Sequence, residues 1–70
     1  MVPLIYSNVG EENVIKKVSG SQELRKHLED MGFVPGTVVS LISMFDGNVI
    51  VSVKNVRIAI SKEMAQKIYI

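Results

Sequence analysis

The first regular apolar pattern along the chain is that of a strand. Residues 12–18 predict an extended segment in which Val14 and Val18 lie on one face. Lys16 falls on the same face and interrupts it. We therefore expect a first strand whose alternation is imperfect.

The apolar spacing then changes from that of a strand to that of a helix over residues 22–31. The residues that share one side of this helix, at i, i+4 and i+7, are Leu24, Leu28 and Met31. A breaker cluster precedes the helix, and either Ser19 or Ser21 can cap it; Ser19 also has the capping-box spacing to Gln22.

The helix has a specific predicted end. Gly32 stands at the C′ position, where a left-handed residue is wanted and glycine has no steric cost. Phe33 and Leu28 would then make the hydrophobic contact of a Schellman motif. Pro35 and Gly36 occupy the second and third positions of a predicted type II turn over residues 34–37. Gly32, Pro35 and Gly36 are therefore assigned a structural role.

The pattern after this turn predicts a meander of three strands. The segments rich in β-branched and alternating apolar residues are 37–45, 48–53 and 56–60. Asp46-Gly47 is a strong signal for a two-residue hairpin. Lys54-Asn55 is the second reversal, because asparagine tolerates positive φ.

Ser61 can cap a helical turn over residues 62–67, after which residues 68–70 suffice for a last strand. This element order predicts a mostly β, small α+β fold. We expect an SH3-like five-stranded barrel, with one short helix after the first strand and a helical turn before the last, formed by residues 1–70 as a single domain.

Composition limits the classes of protein that the chain can represent. It has 70 residues, 47% of them hydrophobic, and no cysteine, which excludes disulfides and thiolate chemistry. So small a fold leaves some apolar side chains exposed, either scattered or as a partner-binding patch, and composition leaves both readings open. No basic region precedes the apolar N-terminus, and no apolar run reaches the about 20 residues that cross a bilayer. We expect a cytoplasmic protein.

The chain offers little catalytic or metal-binding chemistry. Its one histidine, His27, lies on the predicted helix, and no serine stands in a Gly-x-Ser-x-Gly motif, so we do not expect an enzyme. Glu23, His27 and Asp30 are spaced i, i+4 and i+7 and form a weak candidate for ferrous iron. A solvated helix face explains the same spacing better. We expect no metal site and no cofactor.

Nucleic-acid binding is the alternative from another class, as a small SH3-like nucleic-acid-binding module or transcription-regulator domain. Eight basic residues are spread along the chain among seven carboxylates, which gives a formal net charge of +1. Two tyrosines and two phenylalanines are the only aromatic residues available for stacking. Without a basic stripe to neutralise phosphates, we expect no nucleic-acid partner.

The helix-ending run Leu28-Glu29-Asp30-Met31-Gly32-Phe33-Val34-Pro35-Gly36-Thr37-Val38 carries a family resemblance. Together with Ile58-Ala59-Ile60, Ala65 and Ile68-Tyr69-Ile70, it closely resembles the ferrous iron transport protein A (FeoA) family. The likeness extends over nearly the whole chain. Members often have glycine where this chain has Asn55, a mild change because both residues reach left-handed φ. The family is also similar to the SH3-like C-terminal domain of metal-dependent repressors.

The resemblance implies a cytoplasmic accessory protein of bacterial ferrous iron uptake. Its implied partner is FeoB, a membrane transporter with a cytoplasmic GTP-binding domain, which it would regulate or help to assemble. We hypothesise that contact is made by apolar residues near the turn and hairpin tips, with one polar anchor. The candidates are Phe33, Val34, Met44, Phe45 and Arg57. Phe33 has an alternative role as part of the helix cap.

Overall fold

The computed structural model describes all 70 residues as six strands, two α-helices and one 3-10 turn at Leu4–Tyr6. The strands are β1 (Glu12–Val14), β2 (Lys17–Val18), β3 (Val38–Phe45), β4 (Asn48–Val53), β5 (Val56–Ser61) and β6 (Ile68–Tyr69). The helices are α1 (Gln22–Asp30) and α2 (Lys62–Ala65). The predicted small α+β fold, dominated by strands, is confirmed.

The strands form two antiparallel sheets and not one closed barrel. The larger sheet has the order β1-β3-β4-β5, and the smaller pairs β2 with β6. The predicted five-stranded barrel is therefore wrong in two respects. There are six strands, and β5 pairs with β4 alone, so the larger sheet does not close.

The additional strand arises because the predicted strand over residues 12–18 divides in two. The Ile15 N–H donates to the Thr37 carbonyl at 2.9 Å, whereas the Lys16 N–H donates to the Tyr69 carbonyl at 2.8 Å. Ile15 is the buried residue here, at 1% exposed, whereas Val14 is 49% exposed. The prediction of one strand with Val14 and Val18 on the same face was wrong, because the backbone changes its pairing partner at this point and the alternation does not continue through it.

One hydrophobic core joins both sheets and both helices. The side chains that pair across β3, β4 and β5 on the inner face of the larger sheet supply about half of it. The buried residues are Leu4, Ile5, Ile15, Leu28, Phe33, Val39, Leu41, Val49, Val51, Val53, Ile60, Ala65 and Ile68. No buried side-chain nitrogen or oxygen lacks a hydrogen-bond partner, so the core contains no unsatisfied polar side chain.

Helix α1 begins at the second of the two candidate caps. The Leu24 N–H donates to Ser21 Oγ at 3.1 Å, and Ser21 itself has extended backbone geometry. Ser19 lies outside the cap, and its Oγ donates to the Lys67 carbonyl at 3.2 Å. The predicted helix is confirmed, with its last helical residue at Asp30.

The end of α1 has both hydrogen bonds of a Schellman motif. The Gly32 N–H donates to the Glu29 carbonyl at 2.9 Å, and the Phe33 N–H donates to the Leu28 carbonyl at 3.0 Å. Gly32 has φ of 103°, which confirms its left-handed geometry. The helix therefore stops here and delivers Phe33 into the core beside Leu28.

The next turn has the predicted type II geometry over residues 34–37. The Thr37 N–H donates to the Val34 carbonyl at 3.1 Å, and Gly36 has φ of 92°. The Gly36 N–H also donates to the Ile15 carbonyl at 2.8 Å. This bond ties the turn to the segment that precedes α1.

Both predicted hairpin reversals are present in the larger sheet. Asp46 and Gly47 have φ of 51° and 76°, and Lys54 and Asn55 have φ of 52° and 64°. Positive φ at both central residues is the pattern of a type I′ turn, whose twist matches that of the strands. Ser61 caps α2 as predicted, because its Oγ accepts from the Met64 N–H at 3.1 Å.

Replacement of Gly32 by valine should lower the free energy of unfolding by about 1–2 kcal/mol, because a β-branched residue is strained at positive φ. An added Cβ would lie 3.7 Å from its nearest neighbour, the Lys54 side chain, so the cost comes from the backbone and not from a clash. Chemical denaturation measures the change. Gly32→Asn is the control and should lose less stability; a Gly32→Val protein as stable as wild type would contradict the argument.

The N-cap gives a second stability prediction. Ser21→Ala removes the acceptor for the Leu24 N–H and should cost about 1 kcal/mol of unfolding free energy. Ser21→Asp keeps an acceptor at this position and should remain close to wild type in the same denaturation measurement. Equal losses in the two variants would show that the cap bond is not the cause.

Candidate partner-binding surface

Phe33 does not lie on the surface. Its side chain is 1% exposed and packs in the core with Leu28, the residue that the Schellman motif places beside it. Of its two predicted roles, the structure places it in the helix cap. Phe33 is therefore removed from the set of residues that a partner could touch, because its apolar surface is already buried within the chain.

Val34 lies half-buried at the rim of an open groove between α1 and the type II turn. The groove is lined by Val18, Gln22, Arg25, Lys26, Glu29, Phe33, Val34 and Pro35. Charged side chains of both signs come from the helix, and the apolar contribution comes mainly from the turn. Val34 is thus accessible, but in polar surroundings.

Met44 and Phe45 lie at the end of β3, beside the Asp46-Gly47 turn. A register shift interrupts the pairing of β3 with β4 between Leu41 and Ser43, so one residue of β3 is bulged. Before the shift, the odd-numbered residues of β3 face the core; after it, Phe45 pairs with exposed Asn48 and faces outward. The bulge therefore turns Phe45 onto the outer face of the sheet.

The exposure of these two side chains is large for apolar residues. Phe45 is 75% exposed and Met44 is 49% exposed. Met44 pairs with Val49 toward the inner face but lies beyond the closed part of the core. The hairpin tip, defined here as Met44 and Phe45, thus presents apolar surface on both sides of the sheet.

Arg57 lies on the outer face near the opposite end of the sheet. The residues that pair across this face are Glu12, Ser40, Ser52 and Arg57. The row is polar throughout, and Arg57 is exposed at its end on β5. Its guanidinium is available as a polar anchor, without an apolar neighbour in its own row.

The predicted residues do not form one continuous patch. Val34 precedes β3, whereas the hairpin tip ends it, and an extended strand of eight residues is about 26 Å long. The molecule itself measures 28 × 25 × 22 Å. The structure therefore brings Met44 and Phe45 together and separates them from Val34.

A second exposed apolar pair was not anticipated from the sequence. Val14 and Val38 are direct partners in β1 and β3, and both are about half exposed. The signal that could have revealed them is Ile15 followed by two lysines, which marks the point where the strand alternation is broken. This pair lies at the same end of β3 as the type II turn.

The FeoA domain family model matches residues 2–70. The chain belongs to the FeoA family. A proposed Fe(2+) transport protein A of Methanocaldococcus jannaschii is 34% identical over 70 residues, covering all of this chain and 85% of that protein. The resemblance read from the helix-ending turn is confirmed, and membership covers both sheets.

Solved structures agree with this assignment. A crystal structure of an iron uptake regulatory protein, also named FeoA, is 29% identical with a TM-score of 0.85, over 96% of this chain and 91% of that one. Zinc-complexed FeoA of Stenotrophomonas maltophilia, described as a procaryotic SH3 domain protein, is 19% identical with a TM-score of 0.80, over 94% and 85%. A manganese-dependent transcriptional repressor is 14% identical with a TM-score of 0.86, over 97% and 39%. The last two likenesses show the fold alone.

The weak metal candidate of the FeoA chain is not assembled by its fold. Glu23, His27 and Asp30 are all exposed on α1, and no group of three His, Cys, Asp or Glu side chains is placed to hold a metal ion. Seven helical residues rise about 10.5 Å, which separates Glu23 from Asp30 by two turns. The spacing puts the three on one side of the helix but not around one point.

No helix of this FeoA chain is both long enough and apolar enough to pass through a bilayer.

Titration with ferrous iron under anaerobic conditions should leave the ring resonances of His27 unchanged at near-stoichiometric metal. The reason is geometric, because Glu23 and Asp30 lie too far apart to share an ion with it. The measurement is a two-dimensional NMR spectrum of the imidazole protons. A saturable shift of the His27 ring that Glu23→Gln or Asp30→Asn weakens would restore the site.

Proposed function

We propose that this protein is a cytoplasmic accessory protein of ferrous iron uptake, one that binds a FeoB-like membrane transporter with a GTP-binding domain. The contact regulates the transporter or helps it to assemble. The observation that carries the proposal is the family match over residues 2–70. The protein acts by protein-protein contact, as one domain formed by residues 1–70, without a cofactor or catalytic group of its own.

The hairpin tip is the part of the surface best suited to this contact. A phenylalanine that is 75% exposed contributes nothing to the core of its own chain, and burying it against a partner removes apolar surface from water. Aromatic side chains are also the type that most often dominates binding energy when they are enclosed by a partner. Phe45 supplies the anchor in this proposal, and Met44 supplies adaptable apolar contact.

Val34 and Arg57 have secondary parts in the proposed contact. Val34 is half-buried, so a partner could cover only its remaining surface. Arg57 is exposed and offers a planar, permanently charged group to a carboxylate of the partner. Because both lie away from the tip, a partner touching all four residues would have to reach along the length of β3.

The charge distribution favours a protein partner over a nucleic acid. The groove beside Val34 contains Arg25 and Lys26 but also Glu29, and the outer-face row that ends at Arg57 begins at Glu12. A phosphate backbone requires several cations without intervening carboxylates. The fold shared with a repressor therefore brings no nucleic-acid function to the proposal.

The test is a pull-down of the transporter from the organism's membrane fraction with this protein as bait, with and without guanine nucleotide. Phe45→Asp should weaken capture about tenfold or more, because a carboxylate cannot be buried in an apolar pocket without a partner; this factor equals about 1.4 kcal/mol. Met44→Asp and Val34→Asp should weaken it less.

Val56→Asp is the matched control, because Val56 is, like Phe45 and Met44, an exposed apolar residue, at 55%, but lies at the other end of the sheet. It should bind as wild type does. Circular dichroism confirms that each variant is folded. If Phe45→Asp and Met44→Asp both leave capture intact, the hairpin tip is not the contact; if nucleic acid is recovered instead of a transporter, the proposed function is wrong.

A further inference from the structure

Strand β5 leaves one long edge of the larger sheet without a partner. It is the last strand in the order β1-β3-β4-β5, and it pairs with β4 over six consecutive residues, Val56–Ser61, without a register shift. On its other side no strand follows. The opposite outer strand, β1, has only three residues. The open edge of β5 is therefore the longest in the molecule.

The backbone groups that face this edge follow from the turn that precedes it. A two-residue hairpin makes Val53 and Val56 a pair that exchanges both hydrogen bonds, and pairs alternate along antiparallel strands. Ile58 and Ile60 therefore also bond to β4, whereas Arg57 and Ala59 direct their N–H and C=O groups outward. None of the 20 backbone hydrogen bonds outside the helices and strand ladders involves residues 56–61.

The usual protections of a sheet edge are missing from β5. Such edges are commonly blunted by proline, a bulge, a lysine, or a covering segment. Val56–Ser61 contains no proline or glycine, keeps an uninterrupted register, and has one charged residue, Arg57. Its other residues are apolar except for Ser61. An edge of this kind is suited to accept another strand.

We propose that two copies of this protein associate through β5, with the two strands antiparallel about a twofold axis at Ala59. In this register Ala59 lies opposite its own copy, Arg57 lies opposite Ser61, and Ile58 lies opposite Ile60. The result is one continuous eight-stranded sheet. This dimer does not depend on the transporter contact.

The sequence of the edge itself selects a second copy in this register. Outward-facing N–H groups occur at Arg57, Ala59 and Ser61, and outward-facing C=O groups occur at Arg57 and Ala59, since the Ser61 C=O also accepts the first bond of α2. An axis at Ala59 matches these three positions with each other. An axis at Arg57 would oppose two like charges, which is destabilising. An axis at Ser61 would run the partner into α2, which begins at the next residue. Axes at Ile58 or Ile60 would pair only two of the three outward-facing positions with each other, so the register centred on Ala59 uses the edge most fully.

The two faces of the joined sheet are also matched. On the inner face, Ile58 and Ile60 of one copy meet Ile60 and Ile58 of the other, and Ile58 is only partly buried within a single chain. On the outer face, two alanines meet at the axis and place no bulky group there. The hairpin tip lies two strands away, at Phe45, and stays free. Few residues contribute from each copy, so the dimer is weak and depends on protein concentration.

Amide hydrogen exchange, measured by NMR from micromolar to millimolar protein, tests the pairing. The amides of Arg57 and Ala59 should exchange rapidly in dilute protein. Their exchange rates should fall at least tenfold as the protein concentration rises. The amides of Ile58 and Ile60 should be slow throughout, because they bond to β4. Sedimentation equilibrium on the same samples should show a dimer forming over the same range.

Ala59→Lys should abolish both effects, because it places two ammonium groups against each other at the axis. Ser40→Lys is the matched control: it adds the same charge to the same face, but on a central strand opposite Glu12, and should dimerise as wild type. Ala59→Pro is a second variant that should abolish both effects, because it removes an outward N–H that β4 does not use. A chain that stays monomeric at millimolar concentration overturns the proposal. So does protection of Arg57 and Ala59 that appears only when transporter membranes are added to monomeric protein.

Discussion

The end of helix α1 is the constraint on which the rest of this fold depends. A chain of 70 residues must close its helix, reverse, and start its longest strand within eight positions, from Met31 to Val38. Gly32 makes this possible because its positive φ lets the Phe33 N–H bond back to Leu28, so Phe33 enters the core and does not continue the helix. The turn therefore acts as a connector, which ends α1 and starts β3.

The parts of the fold that could be predicted are those coded by one or two residues with special backbone behaviour. Gly32, Gly36, Asp46-Gly47 and Asn55 all have the positive φ that their residue types favour or tolerate, and Lys54 takes positive φ as the first residue of the turn that Asn55 marks. The parts that could not be predicted depend on choices between partners distant in sequence. Nothing local to Ile15 shows that its N–H bonds to Thr37 while the next residue bonds to Tyr69, and that choice decides which side chain faces the core.

The same distinction applies to the proposed partner surface. Sequence placed Met44 and Phe45 correctly beside a hairpin turn, whereas it left two roles open for Phe33, partner contact or helix cap, and the burial of Phe33 assigns it to the cap. The exposure of Phe45 depends on the bulge in β3, which reverses the alternation established by Val39 and Leu41. A bulge has no residue signature here, since neither glycine nor proline marks it. The sequence therefore identified candidate residues, but it did not show which of them lie together on the surface.

The two proposed contacts lie on different parts of this small molecule because of the geometry of its larger sheet. The hairpin tip offers mainly side-chain surface, because Phe45 pairs with Asn48 across a two-residue turn and only the short end of β3 beyond β1 is unpaired on its other side. The edge of β5 offers backbone groups and small side chains, because Arg57 and Ala59 point their amides away from β4. Contacts of the first kind depend on the shape of a partner's pocket, whereas contacts of the second kind depend on strand direction and register.

Since the two features use different atoms and lie on different strands, occupying one does not block the other. A membrane partner that concentrates the protein through the tip would therefore also favour pairing through the edge, by raising the local concentration of a weak self-association.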